Sequence, residues 1–135
     1  MSSGRFLVDT HSLLWFQDRS NKLSDIALQI ISEPNQLVYF SQISLFEIAI
    51  KQTIGKLSDL KVCPEDIHRQ AIKDEFKFLP LENRHIQHYS QVPLYQNHRD
   101  PFDRILIAQA LSENLPIITI DPKFKLYSDL VKVIW

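Results

Sequence analysis

Short apolar runs alternate along the chain with longer stretches in which apolar residues recur at helical spacing. Runs of this length without polar positions are typical of strands that are buried on both faces. We predict strands at residues 6–8, 37–40, 116–120 and 131–134, with a short edge strand at 77–79. The stretches between them predict helices at residues 11–16, 25–32, 43–54, 64–76, 82–90 and 102–111, and a short one after residue 121.

This order of elements is typical of one fold class. Strands that alternate with helices form a parallel sheet with helices on both faces, joined by right-handed crossovers. The sequence therefore predicts an α/β protein, with three α/β/α layers around a central, mainly parallel sheet of about five strands. A length of 135 residues fits a single domain, residues 1–135.

Acidic residues follow two of the predicted strands directly or stand near the start of predicted helices. They are Asp9, Glu47, Asp100, Asp103 and Asp121. Asp9 and Asp121 each follow a strand, and the carboxyl ends of parallel strands meet at the edge where such sheets bind ligands. Converging carboxylates are ligands for Mg²⁺ or Mn²⁺. This pattern indicates a metal-dependent phosphoryl-transfer enzyme.

Each acid also has a purely structural interpretation. Ser44 and Glu47 have the spacing of a capping box, and Asp100 and Asp121 each precede a proline, as N-cap residues do. Capping explains Asp9 and Asp103 less well, because Asp9 should end a central strand and Asp103 begins an otherwise apolar helix. Several carboxylates held close together repel one another unless a cation neutralises them, so the set as a whole favours a metal site.

Other polar residues could support these acids. Threonine hydroxyls could orient a ligand carboxylate, the histidines could contact substrate or a carboxylate, and the basic residues could face a phosphate. The candidates are Thr10, His11, Ser44, Lys51, His98, Arg104 and Thr119. Arg104 could instead pair with Asp100 at i,i+4. His85 and His88 lack a third convergent ligand in the sequence, so we predict that they lie on the surface.

Composition removes several classes of function. A net charge of −1 gives no general attraction to nucleic acid, so an RNA partner would need local basic residues or a bound metal. The single cysteine, Cys63, excludes an internal disulfide and a cysteine-based zinc site. Two glycines, Gly4 and Gly55, are too few for a Walker loop or a dinucleotide fingerprint. We expect no membrane association and a cytoplasmic location, because residues 6–8 form too short an apolar run for a signal peptide and no run approaches ~18 apolar residues.

Four blocks carry a family resemblance. They are Val8-Asp9-Thr10-His11, the segment from Ser44 through Glu47 and Lys51 to Gly55-Lys56-Leu57, the segment Asp100-Pro101-Phe102-Asp103-Arg104-Ile105-Leu106-Ile107-Ala108-Gln109-Ala110, and Thr119-Ile120-Asp121. In this order and spacing they resemble the PIN domain, and more narrowly the VapC-type toxin nucleases of bacterial toxin–antitoxin pairs. The resemblance covers essentially the whole chain.

The resemblance implies a parallel sheet between helices and a Mg²⁺- or Mn²⁺-dependent ribonuclease. By position it implies that Asp9, Glu47, Asp103 and Asp121 are the site acids, and that Asp100 is a ligand, an outer group or only a cap. It also implies a homodimer and a small antitoxin that blocks the site. The alternatives are a non-catalytic protein- or RNA-binding module and another Mg²⁺-dependent phosphoryl hydrolase, although the Asp-x-Asp motif usual in such phosphatases is absent after Asp9. RNA maturation, rather than toxicity, is an open alternative for the biological role.

Overall fold

A five-stranded sheet forms the centre of the molecule in the computed structural model, which describes residues 4–135. The N-terminal residues 1–3, which precede the first apolar run, lie outside the described residues. All neighbouring strands are parallel, and the order across the sheet is β3-β2-β1-β4-β5. The strands are β1 (Arg5–Val8), β2 (Leu37–Ser41), β3 (Lys77–Leu79), β4 (Ile117–Ile118) and β5 (Val133–Ile134). The predicted α/β class and parallel sheet are confirmed, with residues 77–79 at one edge as expected.

Six α-helices and one 3₁₀ segment connect the strands in the described part of the chain. The helices are α1 (Thr10–Gln17), α2 (Asp25–Ser32), α3 (Gln42–Thr53), α4 (Pro64–Lys73), α5 (Asn83–Tyr89) and α6 (Pro101–Glu113). The 3₁₀ segment, Pro122–Tyr127, follows β4. The predicted helices are all present, and their ends differ from the predicted ends by at most three residues.

Helices cover both faces of the sheet because successive strand residues are buried on opposite sides. Leu7 packs in a core with side chains of α6 and the 3₁₀ segment, whereas Val8 packs in a second core with side chains of α1, α2 and α4. In β4, Ile117 and Ile118 divide between the two cores in the same way. This arrangement gives the predicted three layers and explains why Leu7-Val8 and Ile117-Ile118 are apolar at successive positions.

Two local predictions about the helices were wrong. The start of α3 is capped by Ser41, whose hydroxyl accepts from the Ile43 amide at 3.0 Å, so Ser44 and Glu47 are interior residues of the helix and form no capping box. The apolar side chains of Ile26 and Leu28 predict that both lie in the core, but the fully buried side chain of α2 is Ala27, and Ile26 and Leu28 are 53% and 47% exposed. The apolar residues of α2 are too closely spaced for all of them to face the sheet.

The end of α3 follows the sequence prediction. Gly55 has a φ of 78°, in the left-handed region that glycine adopts without a steric penalty. The Lys56 amide then donates to the Lys51 carbonyl at 2.8 Å, which is the bond that closes a Schellman turn. This turn fixes the end of the helix, and Lys51 lies in its last turn and lines the cavity at the carboxyl edge of the sheet. In residues 4–135 no helix is long and apolar enough to cross a membrane.

Candidate metal centre

One cavity at the carboxyl edge of the sheet collects all five candidate acids. It has a volume of about 200 Å³. Its lining residues are Asp9, Thr10, His11, Glu47, Lys51, Asp100, Asp103, Ile120 and Asp121. These residues come from the end of β1, the middle of α3, the start of α6 and the segment after β4, which the sheet order brings together. Four segments that are far apart in sequence therefore contribute carboxylates to one small space.

Asp9 is held by hydrogen bonds on both of its oxygens. It directly follows the central strand and caps α1, with Oδ1 accepting from the Ser12 amide at 2.9 Å. Its Oδ2 accepts from the Thr119 hydroxyl at 2.6 Å, and that hydroxyl in turn accepts from the Asp121 amide at 3.1 Å. Asp9 is thus a helix cap, contrary to the expectation that capping explains it less well than the other acids.

Glu47 is held on both of its oxygens. The Thr10 hydroxyl donates to Oε1 at 2.7 Å, and the Ser44 hydroxyl lies 2.9 Å from the same Thr10 oxygen. The Lys51 ammonium lies 2.6 Å from Oε2, one helical turn along α3. The side chain of Glu47 is only 4% exposed, so this carboxylate is buried with a specific partner for each oxygen.

Asp103 is anchored by a chain of buried side chains. His98 Nε2 lies 3.0 Å from Asp103 Oδ2, and His98 Nδ1 lies 2.7 Å from the Tyr127 hydroxyl. A tautomer with the proton on Nε2 donates to Asp103 and accepts from Tyr127, which satisfies all three groups. Nothing in the sequence marks Tyr127, since it stands 24 residues beyond Asp103 in a segment without motif character.

Asp100 and Asp121 are exposed or half-buried and act as helix caps. Asp100 Oδ1 accepts from the amides of Phe102 and Asp103 at 2.9 and 3.4 Å, and Asp121 Oδ1 accepts from the Lys123 amide at 2.9 Å. Within residues 4–135, Oδ2 of each has no hydrogen-bond partner and can bind a ligand in the cavity. The capping interpretation and the metal interpretation are therefore compatible for these two residues.

The cavity is electrostatically strained by its carboxylates. Burial raises the pKa of Asp9 above its usual range, against the opposing effect of its hydrogen bonds to Ser12 and Thr119. Burial, followed by the charges of Asp100 and Glu47, raises the pKa of Asp103 to about 6. Burial alone would lower the pKa of Lys51, but its hydrogen bond to Glu47 and the surrounding negative charge raise it. A cation in the cavity would relieve the cost of these charges.

The donor set fits a hard divalent ion. All of the acidic ligands offer carboxylate oxygens, which Mg²⁺ and Mn²⁺ accept, and no thiolate lines the cavity. Within residues 4–135, only Glu82, His85 and Glu113 bring three ligand atoms within 4.8 Å of one another, so the cavity acids are more widely spaced than that. Mg²⁺ commonly retains several waters and uses only one or two protein carboxylates, which suits a wider arrangement.

Arg104 does not contribute to this cavity. Its side chain is buried, and the guanidinium donates to the Tyr89 hydroxyl at 3.2 Å and to the carbonyls of Val92 and Pro93. The predictions that Arg104 faces a phosphate, or pairs with Asp100, were both wrong. One turn into α6, its side chain points into the protein and holds the loop before the helix.

His85 was also wrongly predicted, because it is fully buried rather than on the surface. Its Nδ1 accepts from the Glu82 amide at 3.0 Å, and its Nε2 lies 2.8 Å from Glu113 Oε2. The Arg84 guanidinium lies 2.6 Å from the same oxygen of Glu113 and neutralises the charge of that carboxylate. We regard this cluster as structural, since protein groups already engage its histidine and its acids.

Comparison with solved structures shows the same fold at low sequence identity. A crystal structure of VapBC2 from Rickettsia felis has a TM-score of 0.69 at 16% identity, with 96% of this chain and 97% of that chain covered. The structure of VapBC-1 from nontypeable Haemophilus influenzae has a TM-score of 0.64 at 20% identity, with 96% of both chains covered. VapBC-5 from Mycobacterium tuberculosis is described as a member of the VapBC family of toxin–antitoxin systems. Its structure has a TM-score of 0.57 at 18% identity, with 96% of this chain and 95% of that chain covered.

Comparison of the sequence itself leads to a family assignment. No curated protein sequence matches the chain. The family model of the PIN domain matches residues 6–130, which include every element from β1 to the 3₁₀ segment and all five cavity acids. On the extent of that match, the chain belongs to the PIN domain family.

Proposed function

We propose that this protein is a Mg²⁺- or Mn²⁺-dependent endoribonuclease that hydrolyses RNA phosphodiester bonds at the acidic cavity. The observation that carries the proposal is the convergence of Asp9, Glu47, Asp100, Asp103 and Asp121 on one small cavity at the carboxyl edge of the sheet. Membership of the PIN domain family supports it independently. Residues 1–135 would act as one nuclease domain.

Each acid has a role in this proposal that follows from its environment. A divalent ion held by the acids would lower the pKa of a bound water and stabilise negative charge on the phosphate under attack. Asp9 is the central ligand, because Ser12 and Thr119 fix its orientation. Asp103 is the better candidate than Asp100 for direct contact, because it is less exposed and is anchored by His98. Asp121 and Glu47 complete the set directly or through water, and one of the acids accepts the proton of the attacking water.

His11 is proposed to contact the RNA rather than the metal. It is exposed, lines the cavity beside Asp9, and its ring lies 5.7 Å from that of Trp15. An exposed imidazole beside an indole offers a surface on which an unpaired base can stack. RNA without base pairs would therefore be the better substrate.

The partners we propose are a small antitoxin and a second copy of the chain, both acting in the cytoplasm. The solved structures of similar fold include toxin–antitoxin systems, which supports the antitoxin. A groove of about 700 Å³ is large enough to take an amphipathic segment of such a partner, because its lining combines apolar residues such as Leu14 and Trp15 with charged ones such as Lys22 and Asp59. Phe46 on α3 and Ile54 directly after it are 58% and 59% exposed and offer an apolar face to a second copy.

The test is cleavage of a mixed pool of single-stranded RNA by the purified protein and by its Asp9→Asn variant. We expect cleavage in Mn²⁺ or Mg²⁺, none in EDTA, and none by the variant at any metal concentration. Equal cleavage by wild type and variant would refute the assignment. Turnover of a small phosphomonoester instead of RNA would indicate another phosphoryl hydrolase, and Mn²⁺ binding without any cleavage would indicate a binding module.

A further inference from the structure

Lys51 lines the acidic cavity, and its ammonium group forms an ion pair with Glu47. Its Nζ lies 2.6 Å from Glu47 Oε2, and the lysine side chain is 29% exposed while that of Glu47 is 4% exposed. Both residues belong to α3, one turn apart, so the helix fixes their separation. The turn at Gly55 then fixes the end of the helix at which Lys51 stands.

Glu47 differs from Asp9 and Asp103 in that its negative charge is neutralised by a lysine of the chain. Thr10 donates to Oε1 and Lys51 pairs with Oε2, so each oxygen has a short contact with a protein group. Breaking the pair would leave a buried carboxylate without its counter-charge, which is a costly change in the interior of a protein. The ammonium also feels the charges of Asp100 and Asp103, which hold it on the cavity side of the helix.

A fixed ammonium in a carboxylate site limits how many metal ions the site can hold. A divalent ion bound to Glu47 would stand close to Lys51, and two cations at such distances repel strongly where water is partly excluded. Asp9 and Asp103 contact hydroxyl, amide and imidazole groups of the chain rather than the ammonium, so they stay available to an ion. The carboxylate of Glu47 is therefore neutralised by the protein, whereas those of Asp9 and Asp103 remain open to a metal.

We propose that Lys51 is a built-in cation of the site, which keeps its bond to Glu47 when metal binds and restricts the cavity to one divalent ion. In this role Lys51 is a positioning residue that holds Glu47 and replaces a second metal, rather than a contact to the RNA phosphate. The proposal rests on the proposed function only in requiring that the cavity binds a divalent ion.

The test is the number of Mn²⁺ ions bound per chain, measured from the loss of the electron paramagnetic resonance signal of free Mn²⁺ during a titration. The variant is Lys51→Met, which keeps the aliphatic stem and removes the charge. The matched control is Lys73→Met, because Lys73 also stands in the last turn of its helix but is exposed and does not line the cavity. Both substitutions remove the same favourable interaction with a helix end.

We expect one ion per chain for wild type and Lys73→Met, and two for Lys51→Met. Two ions in wild type, or one in Lys51→Met, would overturn the proposal while leaving the nuclease assignment in place. No binding by any of the three proteins would refute the metal site itself, and with it the proposed function. If Lys51→Met does not fold, Lys51→Gln should also bind two ions, whereas Lys51→Arg keeps the charge and should bind one.

A second readout is the melting temperature, measured first without metal and then with it. In EDTA, Lys51→Met should melt several degrees below wild type, because the substitution leaves the buried Glu47 carboxylate unpaired. Saturating Mn²⁺ should then raise the melting temperature of Lys51→Met by more than it raises that of wild type, because an additional ion binds only to the folded variant. An equal rise in both proteins would contradict the proposal.

Discussion

Replacing Asp103 by asparagine should stabilise the metal-free protein at neutral pH. The folded protein raises the pKa of Asp103 from 3.8 to about 6, chiefly by burial and then by the charges of Asp100 and Glu47. Since one pKa unit corresponds to about 1.4 kcal/mol, ionising this carboxyl at pH 7.5 costs the fold about 3 kcal/mol. Asparagine removes the charge and can still accept from His98, but it loses about 0.5 kcal/mol of interaction with the start of α6.

The pH dependence gives this prediction its sign. Between pH 3.8 and about 6 the folded protein binds more protons than the unfolded chain, so its stability falls as the pH rises through that interval. The Asp103→Asn variant has no carboxyl at this position and does not lose this stability as the pH rises. Its advantage should therefore be about 2 to 3 kcal/mol above pH 7, about half of that near pH 5, and absent below pH 3.8.

The assay is thermal or urea unfolding in EDTA across that pH range, with Asp129→Asn as a control for an exposed acid outside the cavity. For a domain of this size, 2 to 3 kcal/mol corresponds to a rise of about 6–10 °C in melting temperature. Added Mn²⁺ should stabilise the wild type more than the variant and reduce or reverse the difference. A variant that is no more stable than wild type at pH 7.5, or whose advantage does not change with pH, would refute the reasoning.

Three further substitutions test other contacts of the site. Thr119→Val removes the hydroxyl that donates to Asp9 and should weaken Mn²⁺ binding roughly tenfold, measured by calorimetry. Arg104→Met leaves the carbonyls of Val92 and Pro93 without their charged donor; it should lower the free energy of unfolding by about 3 kcal/mol without changing the number of Mn²⁺ ions bound. Asp9→Asn should raise the melting temperature in EDTA, because burial raises the pKa of that carboxyl; a lower melting temperature would show that its capping bonds dominate.

The sheet could be predicted because its strands carry a direct signal. Leu7-Val8 and Ile117-Ile118 are apolar at successive positions, which is typical of strands covered on both faces. Helix faces are less well determined by the sequence alone. In α2 the apolar residues exceed what one face can bury, so the core side could not be read from Ile26 and Leu28, which remain exposed.

The acids of the cavity could be predicted from the sequence, but the contacts that orient them could not. Asp9 and Asp121 follow strands, and their position at the carboxyl edge is a consequence of parallel topology. The bond between His98 and Asp103 could be suspected from their closeness in sequence, whereas Tyr127 reaches His98 only through the folding of the 3₁₀ segment. Arg104 shows the converse problem, because a basic residue beside site acids in sequence turned inward to carbonyl groups.

The most direct test of the central claim is the chemistry of the RNA ends produced in Mn²⁺. Hydrolysis by a water that the acidic cavity activates uses no ribose 2′-hydroxyl. The account therefore predicts linear phosphate ends. It also predicts that a strand whose scissile ribose is replaced by 2′-deoxyribose is still cleaved. Cleavage of the RNA and of the substituted strand should both be lost in EDTA and in Asp9→Asn. Ends bearing 2′,3′-cyclic phosphate, formed equally by wild type in EDTA and by Asp9→Asn, would contradict it.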